Sequence, residues 1–178
     1  QTLLRRRTQF FFVNSGQALG NSAGYENTVS GDVDGDGDID FAMGNSVNGA
    51  RIWLNQNNTG SFAAAGPYFE AGTPKIELLD ADLDGDLDLI TTQMSRSGNK
   101  LWINTGSGTF VSSDVLFGNV AVPGLACGKL DGDDDFDVVF GFTEDSCGNP
   151  IYFNESADTC CCIGVRGNVN ASGIVALA

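Results

Sequence analysis

The sequence predicts an all-β protein, a propeller-like array of four-stranded antiparallel blades about three and a half repeats long, forming an open arc and not a closed ring. Three observations carry that expectation. An acidic segment occurs three times, as "GDVDGDGDIDFAMGN", "DADLDGDLDLITTQ" and "GKLDGDDDFDVVFGF". Asp32, Asp80 and Lys129 fall in register at steps of 48 and 49 residues, a spacing of blade size. A second shared segment follows each one, "RIWLNQNNTGSF", "KLWINTGSGTF" and "PIYFNESADT", and aligns Asn55, Asn104 and Asn154. Nowhere does a helical period with caps persist for ten residues.

In chain order, residues 9–25 read as a half unit, because "FFFVNSGQALG" places Asn14 where the later asparagines stand. Full repeats follow at about 26–73, 74–119 and 120–165, together making a repeat domain over 1–165 with a tail at 166–178. Each repeat reads strand, loop, strand, turn, strand, turn, strand. The runs "DFAMG", "DLITT" and "DVVFG" are short and rich in apolar and β-branched residues. The runs "RIWLN", "KLWIN" and "PIYFN" are apolar on both faces and stop at an Asn-led turn, the pattern of strands covered on both sides. "GSFAAAG" and "GTFVSSD" open on a turn glycine and close each blade as outer strands. An aromatic recurs two residues before each asparagine, at Phe12, Trp53, Trp102 and Tyr152. Apolar neighbours favour packing between sheets for these rings over a sugar-stacking stripe.

The 178 residues carry Lys+Arg 9 against Asp+Glu 23, net -14, and fifteen of the acids fall within 32–40, 80–88 and 131–137. Acidity this local belongs to sites, and its sign is opposite to what a nucleic-acid partner requires. With 42% hydrophobic residues the chain is no disordered acidic tail. No apolar run approaches the roughly 20 residues that span a bilayer. The apolar stretch in "QTLLRRRTQFFFV" is shorter than a signal-peptide core, so a mature or excised chain is expected. Arg5, Arg6 and Arg7 read as solvated terminal charge.

The acidic loops have the ligand spacing of a calcium cage. Counted from Asp32, side-chain oxygens fall at positions 1, 3 and 5 (Asp32, Asp34, Asp36), glycine at 6 (Gly37), and a further carboxylate at 9 (Asp40). Calcium takes six to eight oxygens, and alternate residues of a tight turn can aim that many inward. Glycine supplies the left-handed conformation of the turn, Asp38 at position 7 would offer its carbonyl, and Asp40 would close the shell. The second loop repeats the frame with Asp80, Asp82, Asp84, Gly85, Asp86 and Asp88. An EF-hand would carry Glu at position 12 between helices, where this chain has Met43 and Thr91. The third loop departs twice, with Lys129 at position 1 and Asp134 at position 6, leaving Asp131, Asp133, Asp135 and Asp137. Aspartate tolerates a left-handed backbone, so the turn is expected to survive. Lys129 either lays its ammonium beside the acids or leaves a site that needs extra water. Three calcium ions would move the net charge from -14 to -8.

On these residues the chain resembles the FG-GAP or VCBS-type repeat of integrin-like β-propellers and of many secreted bacterial proteins. The likeness covers roughly residues 9–165 and is strongest at the first two loops. It implies blades with calcium in the loop between the first two strands, and a role in adhesion, ligand display or scaffolding, seldom in catalysis. The segment "CCIGVRGNVNASGIVALA" is similar to the start of a dockerin-like calcium segment through Asn168, Asn170, Ser172 and Gly173, or is a worn fourth repeat with little calcium.

The expected function is therefore an extracellular, calcium-stabilised structural or adhesion subunit, at a bacterial surface or appendage. It would self-associate into oligomers or filaments through exposed β edges, with "RTQFFFVN" as a donor strand. The alternative is an excised module that binds glycans or proteins through loops such as "NSVNGA" and "TEDSCGN". An enzyme is not expected, because the chain has no His and every clustered acid has a place in the calcium frame. Cys127, Cys147, Cys160, Cys161 and Cys162 form no CxxC pair and so no zinc site, and fit an oxidising compartment with their pairing open. Asn57, Asn154 and Asn170 head Asn-x-Ser/Thr triplets, which chance alone also produces in so polar a chain.

Overall fold

A computed structural model describes residues 11–20, 24–73, 75–94, 98–118, 122–141 and 148–155. The described residues form eleven strands and no helix. The first sheet is a meander of β1 (Tyr25–Gly31), β2 (Asp40–Asn45), β3 (Ala50–Asn55) and β4 (Phe62–Phe69). The second repeats it with β5 (Ile76–Leu79), β6 (Asp88–Thr91), β7 (Lys100–Asn104) and β8 (Phe110–Leu116). The third holds β9 (Gly124–Gly128), β10 (Asp137–Gly141) and β11 (Ile151–Tyr152). All neighbours are antiparallel, and no sheet closes on itself. The protein is all-β, an open propeller-like arc of blades.

Two apolar layers hold the sheets against one another. In the first, Val33, Ala42, Ala50, Ile52 and Phe69 of the first sheet meet Ile76, Leu89, Trp102 and Phe110 of the second. In the other, Leu79, Ala81, Ile90, Leu101 and Phe117 of the second meet Val138, Phe140, Cys127 and Tyr152 of the third. The second sheet thus has a leading face, toward the sheet before it, and a trailing face, toward the sheet after, and the same two faces can be named on the first and third. Alternate residues of one strand serve the two layers, as Leu89 and Ile90 do, which is why β6 is buried along its whole length. Gly49, at the β2–β3 turn, takes φ 98° and could carry no side chain, since a Cβ there would lie 1.6 Å from the Phe69 carbonyl oxygen.

Two of the four recurring rings, Trp102 and Tyr152, pack between sheets as expected, while Trp53 packs within its own sheet on the facing residue of β2. Trp102 meets Phe69 edge-on at 5.2 Å, Tyr152 lies against Phe117 and Phe140 at 5.3 and 5.5 Å, and Trp53 stacks on Phe41 at 6.4 Å. Phe12 departs from the expectation and is fully exposed, with Phe11 and Val13 beside it exposed as well. Residues 11–20 form no strand, so an apolar run with the right register has no sheet to join. One tie from them to the first blade is the Phe62 N–H, which donates to Gln17 Oε1 at 2.9 Å.

Candidate metal centres

Each acidic loop joins the first strand of a blade to the second, and its aspartates first serve the loop itself. Asp32 accepts the N–H groups of Gly35 and Gly37 at 2.8 and 2.9 Å, and Asp80 accepts that of Gly85 at 3.2 Å. Asp36 and Asp84 accept the N–H two residues on, from Asp38 and Asp86, as Asx turns do. Gly37 and Gly85 have φ of 90° and 98° with open space where a Cβ would stand, so backbone conformation alone demands glycine there. The loop also turns left-handed at position 4, at Gly35 and, with strain, at Leu83, a requirement the sequence frame did not contain.

This folding gathers Asp32, Asp34 and Asp40 in the first loop and Asp80, Asp82 and Asp88 in the second, with one carboxylate oxygen of each residue within 4.8 Å of those of the other two. Asp34 Oδ1 and Asp80 Oδ1 are buried and accept no hydrogen bond. Desolvation, then the charges of Asp40 and Asp36, raise the Asp34 carboxyl above its ordinary range. Asp82 is raised by desolvation and by Asp84. Asp88 is pushed up to about 6 by desolvation, with Asp82 and Asp84 adding and the N–H groups of Asn104 and Ala81 opposing. Mutually repelling oxygens with unfilled lone pairs are the donor set of a hard divalent cation, and either group could hold one.

The carboxylate at position 9 has a second role, the same in all three blades. Asp40 accepts the N–H of Val33 at 2.9 Å and of Asn55 at 2.8 Å, one on each oxygen. Asp88 does so for Ala81 and Asn104, and Asp137 for Leu130 and Asn154. It clamps the loop to the end of the third strand, and each oxygen keeps a lone pair for a metal. The clamped asparagine then reaches backward. Asn104 Nδ2 donates to Val33 O of the previous loop at 2.8 Å, and Asn154 Nδ2 to Ala81 O at 2.8 Å. In the sequence these asparagines read as turn residues, and their recurrence alongside the position-9 aspartate is the signal of a joint task.

The side chains of the other expected ligands lie outside these two groups. Asp36 and Asp84 are exposed and lie outside the two groups. Asp38, expected to offer its carbonyl, is buried and its side chain accepts the Asn58 N–H at 2.6 Å, and Asp86 lies beside Gly106 in the corresponding turn. In the third loop, Asp131, Asp133, Asp135 and Asp137 are not brought together as the other two groups are, among the described residues. Asp134 does not adopt the left-handed conformation expected of it. The third loop keeps the left-handed residue at position 4, where Gly132 has φ 102° as Gly35 and Leu83 do in theirs, and loses the one at position 6.

Asn57 sits exposed in the β3–β4 turn, whereas the amide of Asn154 is engaged with Ala81 and is not presented for a glycan. Cys127 is a free thiol. Cys147, Cys160, Cys161 and Cys162, Asn170 and the dockerin-like positions Asn168, Ser172 and Gly173 lie outside the described residues. A family model of the FG-GAP-like repeat matches the chain twice, over residues 32–91 and 80–140. Each match begins at the first aspartate of an acidic loop and runs through the second strand of the next blade. No curated protein matches the chain.

Proposed function

The chain belongs to the FG-GAP-like repeat family, and from that premise we propose that it is an extracellular scaffold or adhesion module whose blades are stabilised by calcium in the first two loops and which self-associates. Repeats of this family typify extracellular structural and binding modules. No helix among the described residues is long and apolar enough to cross a membrane.

The observation that carries the calcium reading is the pair of orphaned oxygens, Asp34 Oδ1 and Asp80 Oδ1, each inside a group of three converging carboxylates. Two such charges about 5 Å apart repel by roughly 3 kcal/mol at an effective dielectric near 20. Asp32, Asp34 and Asp40 would hold one ion and Asp80, Asp82 and Asp88 another. The ion would supply positive charge, so that the loop keeps the shape its own acids oppose. Because Asp40 and Asp88 also clamp the third strand, the ion's charge would reinforce the blade as well as the loop.

Thermal unfolding with and without a calcium chelator tests this. Chelation should lower the melting temperature, and calcium should restore it better than magnesium, which sheds water reluctantly and prefers six ligands. Melting indifferent to chelator, together with elemental analysis finding no calcium on washed protein, sinks the reading.

A further inference from the structure

The two ends of the array carry complementary halves of one joint. Between blades the joint is made twice, by the asparagine at or just past the end of the third strand of the later blade. It donates to the carbonyl at position 2 of the earlier loop, as Asn104 does to Val33 and Asn154 to Ala81. Apolar residues meet around that bond. On the trailing side these are Val33 and Ile52 in the first blade, each 1% exposed, and Ala81 and Leu101 in the second, each 8%.

At the far end of the array, the corresponding residues of the third blade are Leu130 and Ile151, at 50% and 48% exposed, with Phe153 at 49% beside them. The Leu130 carbonyl stands where those of Val33 and Ala81 stand, with no later blade among the described residues to grip it. At the near end the first blade has the donor half. Asn55 gives one amide hydrogen to Ile39 O at 3.3 Å, and no earlier loop among the described residues takes the other. Trp53 and Arg51 match Trp102 and Lys100. Trp102 packs on Phe69 of the blade before and gives its N–H to Thr91, and Lys100 pairs with Glu70 of that blade. Trp53 Nε1 is buried without an acceptor, Met43 standing where Thr91 does, and the Arg51 guanidinium rests on the rings of Trp53 and Tyr68.

We infer that the trailing face of the third blade docks on the leading face of the first blade of a second copy, with Asn55 Nδ2 of one copy donating to Leu130 O of the other. This rests on the self-association proposed above, and replaces pairing of strand edges with stacking of sheet faces. The contact is heterologous, so it propagates from copy to copy instead of closing as a two-fold dimer. One difference from the joints within the chain sets its strength. Where the second blade has Ile76 and Leu78 and the third Leu125 and Cys127, the first has Thr28 and Ser30, both exposed. Less apolar surface leaves water at this joint, which makes it weaker than the joints inside the chain and dependent on concentration.

Sedimentation of the full chain in calcium, over a range of concentrations, tests the inference with two substitutions at exposed positions. Thr28→Glu blocks the leading face and Ile151→Glu the trailing face, and each variant alone should sediment as a monomer while the unaltered chain forms larger species. Mixed together, the two variants should give a 1:1 dimer and nothing larger, because one good face of each kind remains. Oligomers that persist in both variants overturn the face-to-face joint while leaving self-association standing. An unaltered chain that stays monomeric at every concentration overturns both. If Ile151→Glu also lowers that monomer's melting temperature, residues 156–178 of the same chain are the occupant of the face.

Discussion

Lys129 Nζ lies 3.6 Å from Asp134 Oδ1, so the two residues by which the third acidic loop departs from the others meet each other. In the first two loops the same two positions are joined differently, through an aspartate side chain that accepts the N–H of the glycine. The third loop keeps the tie between positions 1 and 6 and reverses its polarity. The ammonium also lies 5.6 Å over the Phe136 ring. An exposed pair of this kind is worth little by itself, but it puts a fixed positive charge where the other loops gather carboxylates.

Restoring both positions should restore the centre. The double substitution Lys129→Asp with Asp134→Gly is expected to raise bound calcium from two ions per chain to three, measured by elemental analysis of washed protein. Asp134→Gly alone keeps the ammonium and should leave the count at two. A double variant that still binds two ions would show that the third loop lacks more than these residues.

Clamp and ligand can be separated in the first loop. Asp40→Ala strands the buried N–H groups of Val33 and Asn55 and should cost about 2 to 5 kcal/mol in urea unfolding, with chelator or without it. Asp34→Asn removes a charge from the group and no clamp bond, so chelated stability should hold or rise while part of the calcium-dependent increment disappears. Equal behaviour of the two variants would merge the roles assigned here.

Asp88 gives the chelated protein a definite pH dependence. Its carboxyl sits at about 6 in the fold against an ordinary 3.8, so the folded chain holds this proton more tightly than the unfolded chain. That contribution is fully present below 3.8 and is lost as pH rises through 6. Chelated protein should therefore melt higher at pH 5 than at pH 7.5. Calcium should reverse the order, since ion and proton compete for the same oxygens. Melting curves under the four conditions check both statements, and a chelated protein that gains stability between pH 5 and 7.5 contradicts the first.

The Cys127 thiol is pushed up to about 12 by burial, with the Glu77 charge adding. At pH 8 its thiolate should be roughly a thousandfold scarcer than that of an ordinary cysteine. Iodoacetamide should spare Cys127 in the folded chain and modify it in urea, as read by peptide mass spectrometry. Rapid modification of Cys127 without denaturant would refute its enclosure between the second and third sheets.

The sequence by itself determined the all-β class, the blade period and the two acidic groups. These rest on local rules: apolar runs on both faces of short strands, glycine at a left-handed turn, and acids at every second position. The tertiary structure decided what those acids do. Asp40, Asp88 and Asp137 look like their neighbours in one dimension, yet each bridges two backbone segments that meet after the meander folds. Asn104 and Asn154 reach carbonyls 71 and 73 residues earlier. Phe12 shows the converse, a residue with the right letters and no sheet beside it. A residue's spacing fixes which way it points, while its partner is fixed by the strand or blade that packs there, and that is a property of the assembled chain.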